Sequence, residues 1–451
     1  MRAARWSPRR SVRAGLEALA RRVLKEREEP PAPDTTPSDA EVVAMLRTFA
    51  VAQLEVGQPA NLVEESLHVI ARAYDVGPLR VVVLPTVVLI EVSGRDQDGA
   101  DRHRTEIEPV PSVETRLDQA QAIERLVVEG MAGHLVPSEA VEQIRAVRAS
   151  PPRFGTLTRL TGYVVLCVGF GLTLNPRAAA LGSYALLGLA VALLRLLARA
   201  VPTLQSTLPV FAAFVVTLLT CMFVAGAVGD EPLRLIAPAL VAFLPGLTLT
   251  VAAVELTSNQ VVAGASRIVY GTAQLLLLAF GVVAGVRVAG EWPETTSGAT
   301  LGWWAPFAGI LCVAIGFLLF QSAPPRSLPW LVLALLVAYV AQRAGAEVLG
   351  GILSGFVGAL AVVPFTRFAA AFRTAPTSMV MLLAAFWFLV PGALGLVGLG
   401  EAAARDSTAG IQVLLDTFMS LFAIALGFLV GTGLTRHLRG VRARAGARHA
   451  S

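Results

Sequence analysis

From residue 157 onward the chain is almost wholly apolar, in runs close to the length that a helix needs to cross a bilayer. Short segments that carry charges, glycines and prolines separate these runs, a pattern typical of transmembrane helices. We predict ten spans, at about residues 157–174, 178–200, 207–229, 233–254, 261–287, 304–320, 327–341, 347–370, 378–400 and 411–434. The expected fold is therefore that of a mainly α membrane protein.

The part that precedes the first span has the mixed pattern of a small soluble α/β domain, at residues 39–152. Helical spacing predicts helices at about 39–56, 61–74, 112–129 and 138–148, the first two capped by Ser38 and Asn61. Runs of β-branched residues on either side of Pro85 predict strands at 80–84 and 86–92, with a third strand at 102–107. Residues 1–38 are predicted to form a disordered tail, because they are rich in Arg, Glu and Pro. A basic helix at 12–24 that lies on anionic lipid is the alternative.

The fourth and ninth spans each contain a Pro-Gly pair inside an apolar run. Pro391 and Gly392 follow Pro245 and Gly246 at an interval of 146 residues. Proline removes a backbone donor and glycine loosens the chain. In lipid, such a break is tolerated only where the freed backbone groups face protein or a watery cavity. Paired breaks in corresponding halves indicate the binding site of a transporter.

The same interval joins Glu255 to Glu401 and divides the membrane part into two halves of five spans, at 153–303 and 304–434, before a basic tail at 435–451. Because five is odd, the second half starts from the opposite side of the membrane. We therefore predict ten transmembrane helices arranged as two inverted five-helix repeats. Rocking of one half against the other would open a site at mid-depth to each side in turn.

Composition and charge agree with a membrane protein, since 55% of the residues are hydrophobic and only 15% are charged. Arginines beside the spans account for the formal charge of +5, so no nucleic-acid partner is expected. With the N-terminal domain in the cytosol, most of these arginines fall at cytosolic span ends, and both termini are then cytosolic. Cys167, Cys221 and Cys312 lie in apolar spans without metal-type spacing and are interpreted as small buried hydrophobic residues.

Motifs of enzymes and metal sites are missing from the sequence. It has no phosphate-binding glycine-rich loop and no GxSxG, and His68, His103 and His134 lack zinc-type spacing. No catalytic residue, no metal and no cofactor is therefore predicted. The close-packing motif GxxxG does occur, at Gly281/Gly285, Gly351/Gly355 and Gly427/Gly431.

Three stretches carry a resemblance to a known family. Gly57 is followed by NLVEESLHVIARAYDV and then VVVLPTVVLIEV, ASPPRFG precedes the first span, and the two Pro-Gly breaks follow. Together they resemble the threonine/serine exporter family of ten-span transporters with a cytosolic N-terminal domain, over about residues 41–434. The resemblance implies a multi-pass protein of a bacterial plasma membrane that exports small neutral amino acids with the proton gradient. Its expected partners are the amino-acid substrate, protons, membrane lipid and, in a homo-oligomer, a second copy.

A cavity for an amino acid must satisfy an ammonium and a carboxylate together, and the ends of broken helices offer groups for both. Pro245, Gly246, Pro391 and Gly392 are the predicted substrate-binding positions, with Asn259 as an additional polar contact. The alternatives are a kink that serves packing alone at the Pro-Gly pairs and an ordinary loop position for Asn259.

Proton coupling or gating needs ionisable groups inside the spans, where burial of an unpaired charge is costly. Asp416 in the tenth span is the best candidate for coupling, and a helix-end aspartate in headgroup water is its alternative. Glu347, Arg267 and Arg367 lie near span ends. They are candidates for gating, and interfacial anchors are the alternative interpretation.

The leading functional hypothesis is a proton-coupled exporter of threonine or serine. A passive channel or an exporter of another small solute would use the same scaffold, since the fold does not determine the substrate. A membrane receptor or enzyme whose active part is the domain at 39–152 is the third hypothesis. For that domain we favour a regulatory or gating role.

Overall fold

A computed structural model describes residues 37–95, 101–111, 113–229, 232–290, 300–389 and 409–450. The N-terminal domain contains helices α1 (Asp39–Glu55), α2 (Ala60–Ala73), α3 (Leu117–Met131) and α4 (Pro137–Ala149), and strands β1 (Leu79–Leu84), β2 (Val87–Arg95) and β3 (Asp101–Pro109). All seven elements were predicted, with ends that differ by a few residues. Most of the tail predicted at 1–38, with the alternative helix at 12–24, lies outside the described residues.

Helix α1 begins where the sequence predicted. The Ser38 side chain accepts a hydrogen bond from the Glu41 amide at 3.4 Å, and the Glu41 carboxylate accepts one from the Ser38 amide at 3.0 Å. This reciprocal pair is a capping box. Helix α2 instead starts before Asn61, with Pro59 at the cap position. The fixed backbone of proline suits a helix start, and the amide of Ala60 is bound from outside the domain, as described below.

The three strands form an antiparallel sheet in the order β1-β2-β3, in which Leu84 pairs with Val87 across the turn at Pro85. Alternate residues of β2 are buried, so one face of the sheet packs on the helices. The domain core includes Phe49, Leu67, Ile123 and Ile144, and it continues into Ala263 and Met379 of the membrane part. The domain therefore shares a core with the helices below it.

The membrane part consists of eleven described helices: α5 (Thr156–Leu174), α6 (Leu181–Ala198), α7 (Pro202–Leu219), α8 (Pro232–Ala239), α9 (Gly246–Thr257), α10 (Val261–Ala289), α11 (Ala305–Phe320), α12 (Leu328–Leu349), α13 (Ser354–Ala369), α14 (Ser378–Leu389) and α15 (Ala409–Ala450). Helix α7 continues through a π-helical turn, Thr220–Val224, to Val228.

Six of these helices are long and apolar enough to cross a membrane, and the bent pair α8–α9 makes a seventh. Helices α11, α13 and α14 are apolar but shorter. They coincide with the predicted sixth, eighth and ninth spans, and the last of these was expected to reach residue 400. The structure thus supports a multi-pass membrane protein, and the count of ten spans stays a prediction.

Helices α5 and α11 form an antiparallel pair whose glycines allow close contact. Gly162 faces Leu319, and Gly309 faces Leu172. The same reciprocity holds in the middle of the pair. The four contacts are Gly162 with Leu319, Gly169 with Val313, Gly316 with Leu166 and Gly309 with Leu172. Each contact recurs when the two partners are exchanged at an interval of 147 residues.

Two further seams repeat one another at an interval of 146 residues. Gly281 and Gly285 of α10 pack on α7, against Val210, Ala213, Phe214 and Thr217. Gly427 and Gly431 of α15 pack on α13, against Phe356, Ala359, Leu360 and Val363. The predicted GxxxG pairs at 281/285 and 427/431 thus lie in helix contacts. At the third pair only Gly355 does, against Ile424, while Gly351 has open space around it.

Candidate functional site

The predicted fourth span is broken at its Pro-Gly pair. Helix α8 ends at Ala239, a short 3₁₀ turn spans Val241–Phe243, and α9 begins at Gly246 with Pro245 at its cap position. The axes of the two segments differ by 66°. Pro245 cannot donate a backbone hydrogen bond, and Leu244 is extended with a ψ of 127°. The helix therefore cannot continue through this point.

The break is enclosed by protein. Pro245 and Gly246 are both buried, and α9 packs against α10, α14 and α15. The amides of residues 246–248 donate no hydrogen bond to any residue that the structure describes, because the helical pattern starts with Leu249. One turn into α9, the Thr250 hydroxyl is buried and also lacks a partner among the described residues. The start of α9 thus offers several unpaired polar groups.

The other end of α9 carries a fully buried carboxylate, Glu255. The Nε atom of Arg267 in α10 lies 3.1 Å from its Oε2 and donates to its Oε1 at 3.2 Å. The amide of Ala60, the first residue of α2, donates to the same Oε1 at 2.9 Å. A buried charge needs such partners, and the start of a helix adds a favourable dipole. Glu255 therefore joins α9 and α10 to the N-terminal domain.

Two neighbouring contacts complete this junction. The Gln260 amide donates to Glu64 of α2 at 2.8 Å. Gly57, in the turn before α2, has a φ of +81°, and a Cβ there would lie 3.3 Å from the Leu247 side chain. A side chain at Gly57 would thus be strained by its backbone and would crowd the beginning of α9.

A second carboxylate of the N-terminal domain holds the other half of the membrane part. Glu124 of α3 accepts hydrogen bonds from the Ser378 hydroxyl and the Met379 amide, both at 3.0 Å. These residues open α14, so Glu124 acts as an N-terminal cap supplied by another domain. Through α2 and α3 the domain binds both α9 and α14, which precede and follow the predicted breaks of their halves.

The domain contacts the membrane helices at one side only, as far as the described residues go. The Leu117 amide donates to the Gln321 carbonyl at 3.0 Å, and Arg195 pairs with Glu114 at 2.6 Å. These contacts lie at the ends of α6 and α11 that the sequence assigned to the side of the N-terminal domain. The ends that hold Glu255 and Ser378 belong to the same predicted side.

The structure brings some of the predicted site residues together and separates others. Arg267 reaches the buried Glu255, whereas Arg367 is half-buried in the last turn of α13. Asn259 lies in an exposed turn with a φ of 66°, a conformation that asparagine tolerates well. It lies about 20 Å along α9 from Pro245, at 1.5 Å for each residue. Its position suits the turn, and it does not line the break.

The two acidic candidates differ in environment. Glu347 is 74% exposed and faces Arg343 at 4.0 Å. Asp416 is half-buried in α15, one turn before the buried Ser420, and has no hydrogen bond or ion pair with a described residue. Pro391, Gly392 and Glu401 lie outside the described residues.

Sequence reasoning placed Glu255 at the mouth of the fourth span but did not include it among the site residues, and it missed Glu124. The recurrence of a glutamate at positions 255 and 401 was the one available signal for the first. Nothing in the local sequence distinguishes Glu124 from an exposed helical glutamate. Its role depends on the docking of α3 onto α14.

A family model described as "Putative threonine/serine exporter" (ThrE) matches residues 45–289, more than half of the chain. The match covers the N-terminal domain, the α8–α9 break and the Glu255–Arg267 pair, and it ends at the last residue of α10. The chain belongs to the ThrE family. No curated protein and no solved structure matches this chain. Within the part that the structure describes, no group of three His, Cys, Asp or Glu residues could hold a metal ion in this ThrE protein.

Proposed function

We propose that this protein exports threonine, serine or similar small neutral amino acids by alternating access, driven by the proton gradient. The observation that carries the proposal is the buried break at Pro245 and Gly246, where α9 of the first half meets α14 and α15 of the second. A site between two halves can be opened to either side by their relative motion. Membership of the ThrE family provides the substrate class.

The proposal includes two inverted five-helix repeats. The reciprocal contacts of the antiparallel helices α5 and α11 support it. Exchange of partners in an antiparallel pair corresponds to a two-fold axis across the helices, which would lie in the plane of the membrane. The matched glycine seams of α10 on α7 and of α15 on α13 add support, since they relate the remaining helices by nearly the same interval.

The chemistry at the start of α9 fits an amino acid with a hydroxyl group. Unpaired amides at a helix N-terminus favour a carboxylate. The buried Thr250 hydroxyl can exchange a hydrogen bond with the hydroxyl of threonine or serine. A site that pairs its polar groups with a substrate hydroxyl discriminates strongly against an analogue without one, because those groups are then left unpaired.

The N-terminal domain is proposed to act as a gate on the cytosolic side. It holds α9 and α10 through Glu255 and α14 through Glu124. Movement of one half against the other would have to change at least one of these attachments. The domain would then favour the conformation in which both contacts are made.

Flux into proteoliposomes tests the proposal. We expect uptake of labelled threonine and serine that increases with an imposed pH gradient, and little uptake of valine, which has the size of threonine but no hydroxyl. Equal uptake with and without the gradient would indicate a passive channel. An absence of threonine and serine flux in both conditions would contradict the substrate assignment.

Asp416→Asn is predicted to abolish the effect of the pH gradient while the exchange of internal for external substrate continues. The half-buried carboxylate can carry a proton and the amide cannot. Measurement of gradient-driven uptake and of exchange in the same vesicles separates coupling from substrate binding. Glu347→Gln, at an exposed carboxylate, is the control and should behave like the wild type. A normal gradient response in Asp416→Asn would reject this residue as the coupling group.

A further inference from the structure

Three arginines line a half-open cleft between α5 and α6, at the membrane end nearest the N-terminal domain. The cleft has an empty volume of about 340 Å³, and its walls include Arg159, Arg195, Arg199, Leu160, Leu196 and Phe320. Arg159 lies in the first turn of α5, and Arg195 lies in the last turn of α6. The proposed transport path does not use this cleft.

Arg195 is held firmly at the base of the cleft. Its guanidinium lies 5.2 Å from the ring centre of Phe320 and 5.4 Å from that of Phe243. The side chain is 15% exposed, and its Nη2 donates to both oxygens of Glu114, at 2.8 and 2.6 Å. Stacking on aromatic faces fixes the planar group in one orientation. The cleft therefore has a preformed donor.

The other two arginines leave the cleft with excess positive charge. Arg159 donates to the Phe320 carbonyl, a neutral group, at 3.4 Å. Arg199 is exposed and makes no ion pair or side-chain hydrogen bond with a residue that the structure describes. Glu114, which is 72% exposed, is the carboxylate that pairs with this group. Like charges so close together repel, and an anion with several acceptor oxygens would relieve that repulsion.

The surroundings favour an anion that carries acyl chains. Leu193 and Leu197 of α6 are 51% and 53% exposed on the outer surface beside the cleft. Exposed leucines on a membrane helix face hydrocarbon, while the arginines at the helix ends lie at the depth of the headgroups. We propose that the cleft binds the phosphate of an anionic phospholipid. Basic pockets between transmembrane helices on the cytoplasmic side are suited to such headgroups.

The bound phosphate would compete with Glu114 for Arg195. Glu114 lies in the segment that leads into α3, the helix that holds α14 through Glu124. Lipid binding would therefore exchange a contact of the N-terminal domain for a contact with the membrane. Consequently Glu114→Gln, which removes the competing charge, is expected to bind the lipid more tightly.

The test uses full-length protein that has been purified in detergent and depleted of lipid. Binding of phosphatidylglycerol, phosphatidylcholine with the same chains and inorganic phosphate is measured by native mass spectrometry and by the shift in melting temperature. We expect selective binding of phosphatidylglycerol, weakened about fivefold for each arginine removed in Arg159→Gln and Arg199→Gln. Arg153→Gln, outside the cleft and beside Phe154, is the matched control and should bind like the wild type.

Equal loss in Arg153→Gln and in the cleft variants would show a general surface attraction and would overturn the proposal. Stabilisation by inorganic phosphate as strong as that by phosphatidylglycerol would identify a site for free anions and would overturn the lipid assignment. If the cleft variants do not fold, Glu114→Gln decides the matter, because tighter binding cannot result from unfolding. Unchanged or weaker binding in that variant would contradict the proposed competition.

Discussion

Replacing Glu255 by glutamine is expected to destabilise the protein by about 3–5 kcal/mol and to reduce substrate flux, because Arg267 is then left buried without its counter-charge. The contact with Ala60 also weakens, since a neutral oxygen accepts a weaker hydrogen bond than a carboxylate. The melting temperature in detergent measures the first effect. Faster trypsin cleavage after the exposed Arg153, in the connection between the domain and α5, measures the release of the domain.

Two comparisons make this result specific. Glu347→Gln breaks an exposed pair with Arg343 and should change stability by less than about 1 kcal/mol. The double variant Glu255→Gln with Arg267→Gln removes both charges and should recover part of the lost stability. If Glu255→Gln is as stable as Glu347→Gln, the buried pair does not hold the domain to the membrane helices.

Alanine at Gly281 or Gly427 is expected to prevent correct packing of the membrane part. A Cβ at Gly281 would collide with the Val210 carbonyl, and a Cβ at Gly427 would collide with the Phe356 carbonyl. Backbone atoms cannot rotate away as a side chain can, so the two helices must separate along the seam. We expect a loss of at least about 1–3 kcal/mol for each substitution, measured as a lower melting temperature and a lower yield of monodisperse protein.

Gly433→Ala is the matched control, because Gly433 lies in the same helix as Gly427 and has nothing within 4 Å of an added Cβ. Its alanine variant should be neutral or slightly more stable, since alanine favours a helix by about 1 kcal/mol over glycine. Similar losses for Gly281→Ala and Gly427→Ala would agree with equivalent seams in two related halves. A loss at one position alone would speak against that equivalence.

The agreement between sequence and structure is best where local pattern decides the outcome. The capping box at Ser38, the strands on either side of Pro85 and the interruption at Pro245 all follow from residue type and spacing within a few positions. The start of α2 differs from the prediction by one residue for a tertiary reason. Its first amide is bound by Glu255, about two hundred residues away in the chain, so a side-chain cap at Asn61 is not needed there.

The candidate site was only partly predictable for the same reason. Residue type identified Arg267 as a group that could hold a carboxylate, but the choice of Glu255 as its partner depends on how α9 turns back into α10. Asn259 was predicted to contact substrate, and the structure places it in that exposed turn. Glu124 has an ordinary helical sequence around it, and its role appears only once α3 meets the start of α14.

By itself, the sequence determined that the chain enters a membrane many times, where the helix of its fourth span is interrupted, and which glycines permit close contact. These properties depend on transfer of side chains into lipid and on local backbone geometry, which residue type and spacing largely specify. Only the tertiary structure decided that the N-terminal domain attaches to both halves, and that Glu255 and Glu124 make the attachments. Such contacts join segments far apart in the chain, and a buried charge has a favourable place only where distant partners meet around it.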